Sequence, residues 1–441
     1  MEAAGKAGNW RGAVASTIGN VLEWYDFVLF GFLTLVIAKQ FFPSSSPYGG
    51  LLMTTATFGA GFVVRPIGGV LLGIYSDRHG RKAGLTMVIM MMTIASAIVA
   101  FTPGFHQIGI VAPLLVVFAR LLQGVSAGGE FGTATAMLVE YAPKGRRSFY
   151  GSWQMFAQAL GALIAIAMGA LLTGFFSPAT VESWAWRLPF AFGLLIGPVG
   201  IYIRNRMPET EAFRQLTKPA RAPLGKVLTD YPKEVFISTS MSAALNVMSY
   251  VIFTFLPIFA VQTLGMPIKL PFTVLLLSVT LRISTIPLFG WLGDRVGQKR
   301  VMSLALVAFL ITLYPSYYWM IHAPSMTSIL AVESVFAILT SAATSSVPSA
   351  SAQLFPTSVR STGLAISYNI GASLFGGFSP FILTWLLHVT GDKFMPAHYA
   401  TLFFALGLIG VLMLRSDKDD KPVAEPGPEA DDQSPALKQA H

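Results

Sequence analysis

The chain has no cysteine, so a disulfide-stapled fold and thiolate metal or redox chemistry are excluded. It is also short of charge. Only 12% of its 441 residues are Asp, Glu, Lys or Arg, against roughly a quarter in a soluble protein. The shortage runs along the whole chain, which excludes a soluble globular protein with a single anchor. Disordered, collagen-like and coiled-coil classes fall to the same numbers. The six histidines, His79, His106, His322, His388, His398 and His441, lack zinc-ligand spacing, and no Walker loop occurs. No enzyme activity, metal or cofactor is therefore expected, and any work must draw on an ion gradient.

What is present is apolar bulk, 54% of the residues, with a mean hydropathy of +0.62. Long apolar runs separated by short charged stretches make lipid the solvent for most of the chain. Twelve runs have spanning length: 14–38, 50–74, 84–102, 109–140, 149–175, 187–203, 235–262, 270–292, 301–321, 326–354, 361–388 and 397–415. The expected fold class is an all-α membrane protein of twelve transmembrane helices. Met1–Ala13 lacks an apolar core followed by a small-residue cleavage site, so the first run reads as an uncleaved span.

Seventeen loop Lys and Arg residues fall on one side of this arrangement and four on the other. The positive-inside rule places both termini in the cytoplasm. The net charge of +9 thus flanks membrane segments and implies no nucleic-acid partner. The basic, Pro-bearing stretch 204–234 divides the chain into six-helix halves, 1–203 and 235–415, and 416–441 reads as a disordered cytoplasmic tail without heptads.

The halves repeat. The loop carrying Gly73, Asp77, Arg78, Gly80, Arg81 and Lys82 returns 217 residues later with Gly290, Asp294 and Arg295, and Gln298 stands where its first copy has Arg81. Glu140–Ser148 matches Gln353–Ser361 at an offset of 213. Two matches at nearly one offset indicate duplication, and paired six-helix repeats with a mid-depth site between them are a transporter plan.

The glycine-flanked Asp-Arg-x-Gly-Arg-Lys loop, its weaker copy and Arg120-Leu-Leu-Gln123-Gly124 resemble the major facilitator superfamily. Asn20-x-x-Glu23-Trp24-Tyr25-Asp26-Phe27, Arg65-Pro66-Ile-Gly68-Gly69, Gly128-Gly129-Glu130 and Trp186-Arg187-x-Pro189-Phe190 resemble its metabolite:proton symporter branch. Leu29–Pro43, Met207–Phe213 and Thr390–Lys393 are similar to the bacterial citrate-proton and tricarballylate carriers of that branch. The resemblance implies proton-coupled uptake of a di- or tricarboxylate by alternating access in a bacterial inner membrane. Symport of 2-oxoglutarate, or of a zwitterion such as proline or betaine, is the alternative, and a receptor or channel is the remote one. The expected partners are a small carboxylate, protons and the lipid bilayer, with the monomer as the working unit.

Charge inside the bilayer is costly, so each buried ionisable group needs a partner or a wet cavity. Arg65 and Arg282 each precede a loop aspartate by 12 residues, roughly 18 Å of helix, which puts both near the midplane. Two guanidiniums facing one another suit two carboxylates, although each Arg could instead pair with a nearby acid. Arg120 is the third. The intramembrane acids Glu23, Asp26, Glu130 and Glu333 are the proton-coupling candidates. Glu23 and Asp26 share a helix face, and two close carboxylates favour one of them holding a proton. Glu333 lies 213 residues after Arg120, so an attraction between the two is expected. Asn20, Tyr25, Gln154, Gln158, Asn246, Tyr250, Tyr368 and Asn369 are the polar substrate-contact candidates, each equally able to serve as an interhelical hydrogen-bond partner. The Asp77 loop reads as a bistable gate at the cytoplasmic surface.

Overall fold

The computed structural model describes residues 2–43, 47–205, 208–216, 223–267 and 269–415. The tail expected over 416–441 and parts of the central loop, 206–207 and 217–222, lie outside the described residues. Among the described residues there are helices and turns and no strand, as expected where lipid leaves backbone groups nothing else to bond. The principal helices are α1 (Glu2–Phe32), α2 (Thr34–Phe41), α3 (Pro47–His79), α4 (Arg81–Phe101), α5 (Val111–Tyr141), α6 (Arg147–Phe175) and α7 (Arg187–Asn205). The second half of the chain contributes α8 (Pro232–Gln262), α9 (Lys269–Val296), α10 (Gln298–His322), α11 (Met326–Leu354), α12 (Thr357–Thr390) and α13 (Met395–Leu412).

Helix covers all twelve segments expected from the sequence. Among the described residues ten helices are long and apolar enough to cross a bilayer, or eleven if α1 and α2, bent by 69°, form one span. α7 fills the sixth expected position with 19 residues.

Several helices are interrupted where they approach the middle of the molecule. α8 passes through a π turn at Val251–Phe255 and α12 through another at Gly371–Gly376. Such turns leave backbone groups to be satisfied by neighbours, which is tolerated where the helix is buried in protein or lines a cavity. Pro257, Pro348 and Pro380 each lie at the start of the α-helical stretch that follows a π turn or a turn within α8, α11 and α12. Pro66 and Pro287 lie inside continuous helices.

Two apolar cores follow the two halves of the chain. One joins residues from Tyr25 to Phe190. The other runs from Ile237 to Leu414 and takes in Phe131, Met155 and Ala159 from the first half, which marks the seam. Large apolar side chains such as Ile67, Leu71, Phe118, Leu304, Ile311, Phe381 and Leu402 face outward, as a lipid-bathed surface requires. Close approach across α3 and α5 depends on Gly128, where a Cβ would fall 2.0 Å from the Arg65 carbonyl oxygen.

Candidate functional site

Three helices bring Arg65, Arg120 and the α1 acids together. Arg65, only 2% exposed, places Nη2 3.8 Å from Oε1 of Glu23. Its guanidinium lies over Phe27 at 4.8 Å, Phe62 at 5.1 Å and Trp24 at 5.8 Å. Arg120 also lies near Phe27, at 5.1 Å, and stacks on Phe30 at 4.1 Å. The aromatic rings thus support two cations whose mutual repulsion would otherwise be exposed in a dry interior. Arg120 donates to Oε1 of Gln123 at 2.5 Å, and the Gln123 amide reaches the Ser96 hydroxyl at 3.5 Å. Ser96 in turn donates to Asp26. A polar chain therefore runs from Arg120 through α5 and α4 to Asp26 on α1.

The seam supplies the second cluster. The charge of Arg65 reaches Tyr250 and Tyr368, both from the second half of the chain. Tyr368 stacks face to face on Phe131, with centroids 3.5 Å apart, and shares a hydrogen bond with Gln158. Arg282 is the other arginine of the seam, within electrostatic reach of Tyr368. Its guanidinium packs over Phe253 at 4.8 Å, Nε has no hydrogen-bond partner, and it makes no ion pair among the described residues. Tyr368 is thus within electrostatic reach of an arginine from each half of the chain. Phe62 closes over this region through its ring contact with Tyr250 and through its carbonyl, which accepts from Ser373 at 3.0 Å.

The other candidates take their places around this centre. Gln154 donates to Glu130 at 3.3 Å, and Asn20 donates to the Gln154 carbonyl at 3.4 Å. Tyr25 donates to the Pro189 carbonyl, and Asn246 turns back to the Ser242 carbonyl of its own helix. Asn369 bridges the seam, donating to Gly128 and Ala365, each at 2.7 Å. Glu333 is not brought to Arg120. It is buried beside Ser278 and Tyr317, whereas the charges acting on Arg120 are Asp26 and Arg65. The reason is geometric: Glu333 on α11 faces Ser278 of α9 and Tyr317 of α10, whereas Arg120 on α5 faces α1 and α3.

At the loop face, Asp77 accepts from the backbone N–H groups of Ser361 and Thr362, at 3.1 and 2.9 Å, and from the Thr362 hydroxyl at 2.6 Å. A carboxylate at the start of α12 satisfies orphan donors and suits the helix dipole. Arg81 bonds Asp77 at 2.7 Å, Glu140 at 3.1 Å and the Thr357 carbonyl at 2.6 Å. Glu140 also accepts from Arg360 at 2.8 Å and from Thr210 at 2.6 Å. The second copy has Gln298 in place of the buried arginine. Asp294 accepts from Ser148 and Phe149 at the start of α6, at 2.7 and 2.9 Å, while Gln298 meets Ser349 and Gln353 instead of charge. Both loops turn on a glycine of positive φ, Gly80 at 103° and Gly297 at 106°, a conformation a side chain would strain. Gly73 and Gly290 let the seam close against Thr362 and Ser152. Lys82 bonds Glu209 through its backbone N–H, Arg78 is exposed, and Arg295 stacks on Trp291 at 4.1 Å. The loop face is closed.

Sequence reading alone does not single out Ser96, Gln123, Glu140, Thr210 or Arg360 as parts of these clusters. Gln123 follows Arg120 by one helical turn, a usable sign. Glu140 stood in the repeat match opposite Gln353, but its partners come from three distant stretches of chain.

Comparison with known proteins accords with this architecture. The family description "Sugar (and other) transporter" matches residues 12–226, and "Major Facilitator Superfamily" matches 272–439. A citrate-proton symporter of Klebsiella pneumoniae is 35% identical over 401 residues, 90% of each chain. A glycine betaine/proline/ectoine/pipecolic acid transporter of Dickeya dadantii is 30% identical over 97% of this chain and 88% of its own. Among solved structures, the proton:xylose symporter XylE superposes with a TM-score of 0.76 at 16% identity, covering 92% of this chain and 95% of that one. A multi-pass helical membrane protein with these relatives is a transporter and not an enzyme: the chain belongs to the Major Facilitator Superfamily.

Proposed function

We propose that the protein couples proton influx to uptake of a di- or tricarboxylate, citrate or tricarballylate before others, across a bacterial inner membrane. The observation that carries this is the burial of Arg65 and Arg282, one from each half of the chain, with Arg282 packed over Phe253 and without an ion pair among the described residues. A buried guanidinium is costly unless something anionic joins it, and two of them suit a passenger with at least two carboxylates. The halves 1–203 and 235–415, joined by 204–234, rock about this point, with both termini and the Asp77 loop in the cytoplasm and the monomer as the working unit.

The electrical work decides the need for protons. A trianion entering a cell at −100 mV climbs roughly 7 kcal/mol, and three or more protons would remove that cost. Arg65 offers a coupling step. A substrate carboxylate that binds Arg65 competes with Glu23, now 3.8 Å away. Glu23, its contact with Arg65 lost, then favours taking up a proton beside Asp26 on the same helix face, while Asp26 keeps Arg120. Gln154, Gln158, Tyr250 and Asn369 surround the passenger, and Glu130 and Glu333 are further proton carriers.

A zwitterion is the second reading, supported by the betaine and proline transporters among the relatives. Against it, the aromatic faces of Trp24, Phe27 and Phe62, which would suit a quaternary ammonium, are taken by Arg65. A single carboxylate would also leave one arginine unmatched. Proteoliposomes with an imposed proton gradient and no sodium should accumulate labelled citrate, with tricarballylate, 2-oxoglutarate, succinate and proline as competitors. Accumulation on a sodium gradient alone, or competition by proline and not by tricarballylate, would overturn the proposal.

A further inference from the structure

The stretch Arg360–Ile370 of α12 belongs to the second half of the chain but is gripped by the first. It lies between a tight turn at Thr357–Val359 and the π turn at Gly371–Gly376, so the helix can change direction at either end. Every residue from Ser361 to Asn369 is buried. First-half glycines let it in. A Cβ on Gly73 would fall 2.9 Å from Thr362, one on Gly132 2.5 Å from the Ser361 carbonyl oxygen, and one on Gly69 2.5 Å from the Asn369 amide. Asp77 caps the loop end of the stretch at Ser361 and Thr362, and Asn369 donates to the Gly128 carbonyl near the other.

Tyr368 adds a third attachment. Its ring lies face to face on Phe131 of α5, with centroids 3.5 Å and planes 5° apart, and its hydroxyl shares a hydrogen bond with Gln158 of α6. Both partners belong to the first half. Tyr368 follows Thr362 by six residues, roughly 9 Å of helix, whereas Arg65 precedes Asp77 by 12, roughly 18 Å. Asp77 and Thr362 are bonded and share one level, so the backbone of Tyr368 lies on the loop side of Arg65. Its hydroxyl is within electrostatic reach of Arg65 and Arg282. One side chain therefore helps close the seam with its ring and meets the candidate site with its hydroxyl.

We propose that Tyr368 is a positioning residue that carries passenger binding to the Asp77 latch. The inference rests on the carboxylate reading above. A passenger carboxylate drawn to the arginines is a stronger acceptor for the Tyr368 O–H than a neutral amide. Taking that bond loosens the tie to Gln158 and turns the ring off Phe131. The helix between Tyr368 and Thr362 passes the movement to the Asp77 cap, with the π turn as the hinge. Without a passenger both ties favour the shut loop face, so binding shifts the carrier toward opening.

The test uses the full-length protein in vesicles whose loop face is outward. The chain lacks cysteine, so Ser76→Cys places a single thiol in the seam, where the buried Ser76 hydroxyl lies 3.2 Å from that of Ser361. An impermeant methanethiosulfonate reaches it only when the loop face opens. Saturating citrate should speed labelling of this parent at least threefold. In Ser76→Cys/Tyr368→Phe, which keeps the ring and loses the hydroxyl, saturating citrate should leave the rate unchanged. In Ser76→Cys/Phe131→Leu, which loses the stack and keeps the hydroxyl, the citrate-free rate should already rise at least threefold while citrate affinity changes less than threefold. Acceleration by citrate that survives Tyr368→Phe overturns the proposal, as does a citrate-free rate unmoved by Phe131→Leu. If Tyr368→Phe does not fold, Phe131→Leu decides alone. Acceleration of the parent by proline and not by citrate would sink the reading of a passenger with several carboxylates, and the same comparison made with proline still judges the link. If neither speeds labelling of the parent, the link is overturned.

Discussion

Asp77 and Asp294 each cap the first turn of a helix from the opposite half of the chain, Asp77 on α12 and Asp294 on α6. Their company differs. Asp77 belongs to a buried charged clasp with Arg81, Glu140 and Arg360, whereas Asp294 sits beside Gln298, which bonds Ser349 and Gln353. The charged clasp gains most from being fully assembled and loses most when one member departs, because breaking a buried ion pair strands its partner. If the loops act as latches, it would be the stronger switch, and the Gln298 copy is suited to remaining in contact while the seam moves.

Asp77→Asn keeps the shape of the cap but removes the charge facing Arg81 and the start of α12. Loss of one partner from a buried pair costs about 3–5 kcal/mol, all of it from the conformation closed at the loop face. Turnover of labelled substrate in vesicles should fall by an order of magnitude or more while equilibrium binding changes less than threefold. Equal losses in both measurements would mean the loop is not a latch.

Gln298→Arg should destabilise the protein, since Gln353 stands where Glu140 would pair with the new guanidinium. The double variant Gln298→Arg/Gln353→Glu should recover much of the loss by rebuilding the charged clasp on the second copy. Thermal unfolding in detergent measures both. Turnover of the double variant should be slower than that of the unsubstituted protein, because two strong clasps must now release together.

The helical bundle and the repeat were legible in the sequence because each has a local signature: apolar run length for a span, and a short glycine-bounded motif for the loop. The expected mid-depth placement of Arg65 and Arg282 came from rise per residue, which converts sequence distance to depth. Which side chains meet was not. Helix rotation about its axis and the sense of the pseudo-symmetry decide that Glu333 lies by Tyr317 and not by Arg120, and neither leaves a mark in linear spacing. Tyr25 and Asn246 illustrate the same limit. Both are polar residues at suitable depth, yet each donates to a backbone carbonyl.

Arg282→Gln removes a buried cation that has no ion pair among the described residues, so the folded protein should tolerate it well. Its effect belongs to the passenger. Affinity for a tricarboxylate should drop at least tenfold, about 1.4 kcal/mol or more, with a smaller loss for a monocarboxylate competitor. Arg65→Gln should instead weaken both and lower stability, because it removes the cation facing Glu23 and unstacks Phe27 and Phe62. Competition assays against labelled citrate separate the two patterns.

Asp26→Asn tests proton coupling at its most exposed point. The neutral amide still accepts from Ser96 and cannot carry a proton across. In the unsubstituted protein, uptake should rise as external pH falls, since protonation precedes loading. One pH unit across the membrane is worth 1.36 kcal/mol per proton, or about tenfold accumulation for each proton coupled. In Asp26→Asn the accumulation ratio should lose one such factor, or collapse to the electrical equilibrium if Asp26 carries every proton, and initial rates should flatten with pH. Counterflow should continue within severalfold of normal, because exchange requires the seam to move and the carboxylate to bind but no proton to leave. A variant that accumulates citrate as steeply as the unsubstituted protein would transfer the proton's seat to Glu23, Glu130 or Glu333, and the same assay on each amide variant would show which.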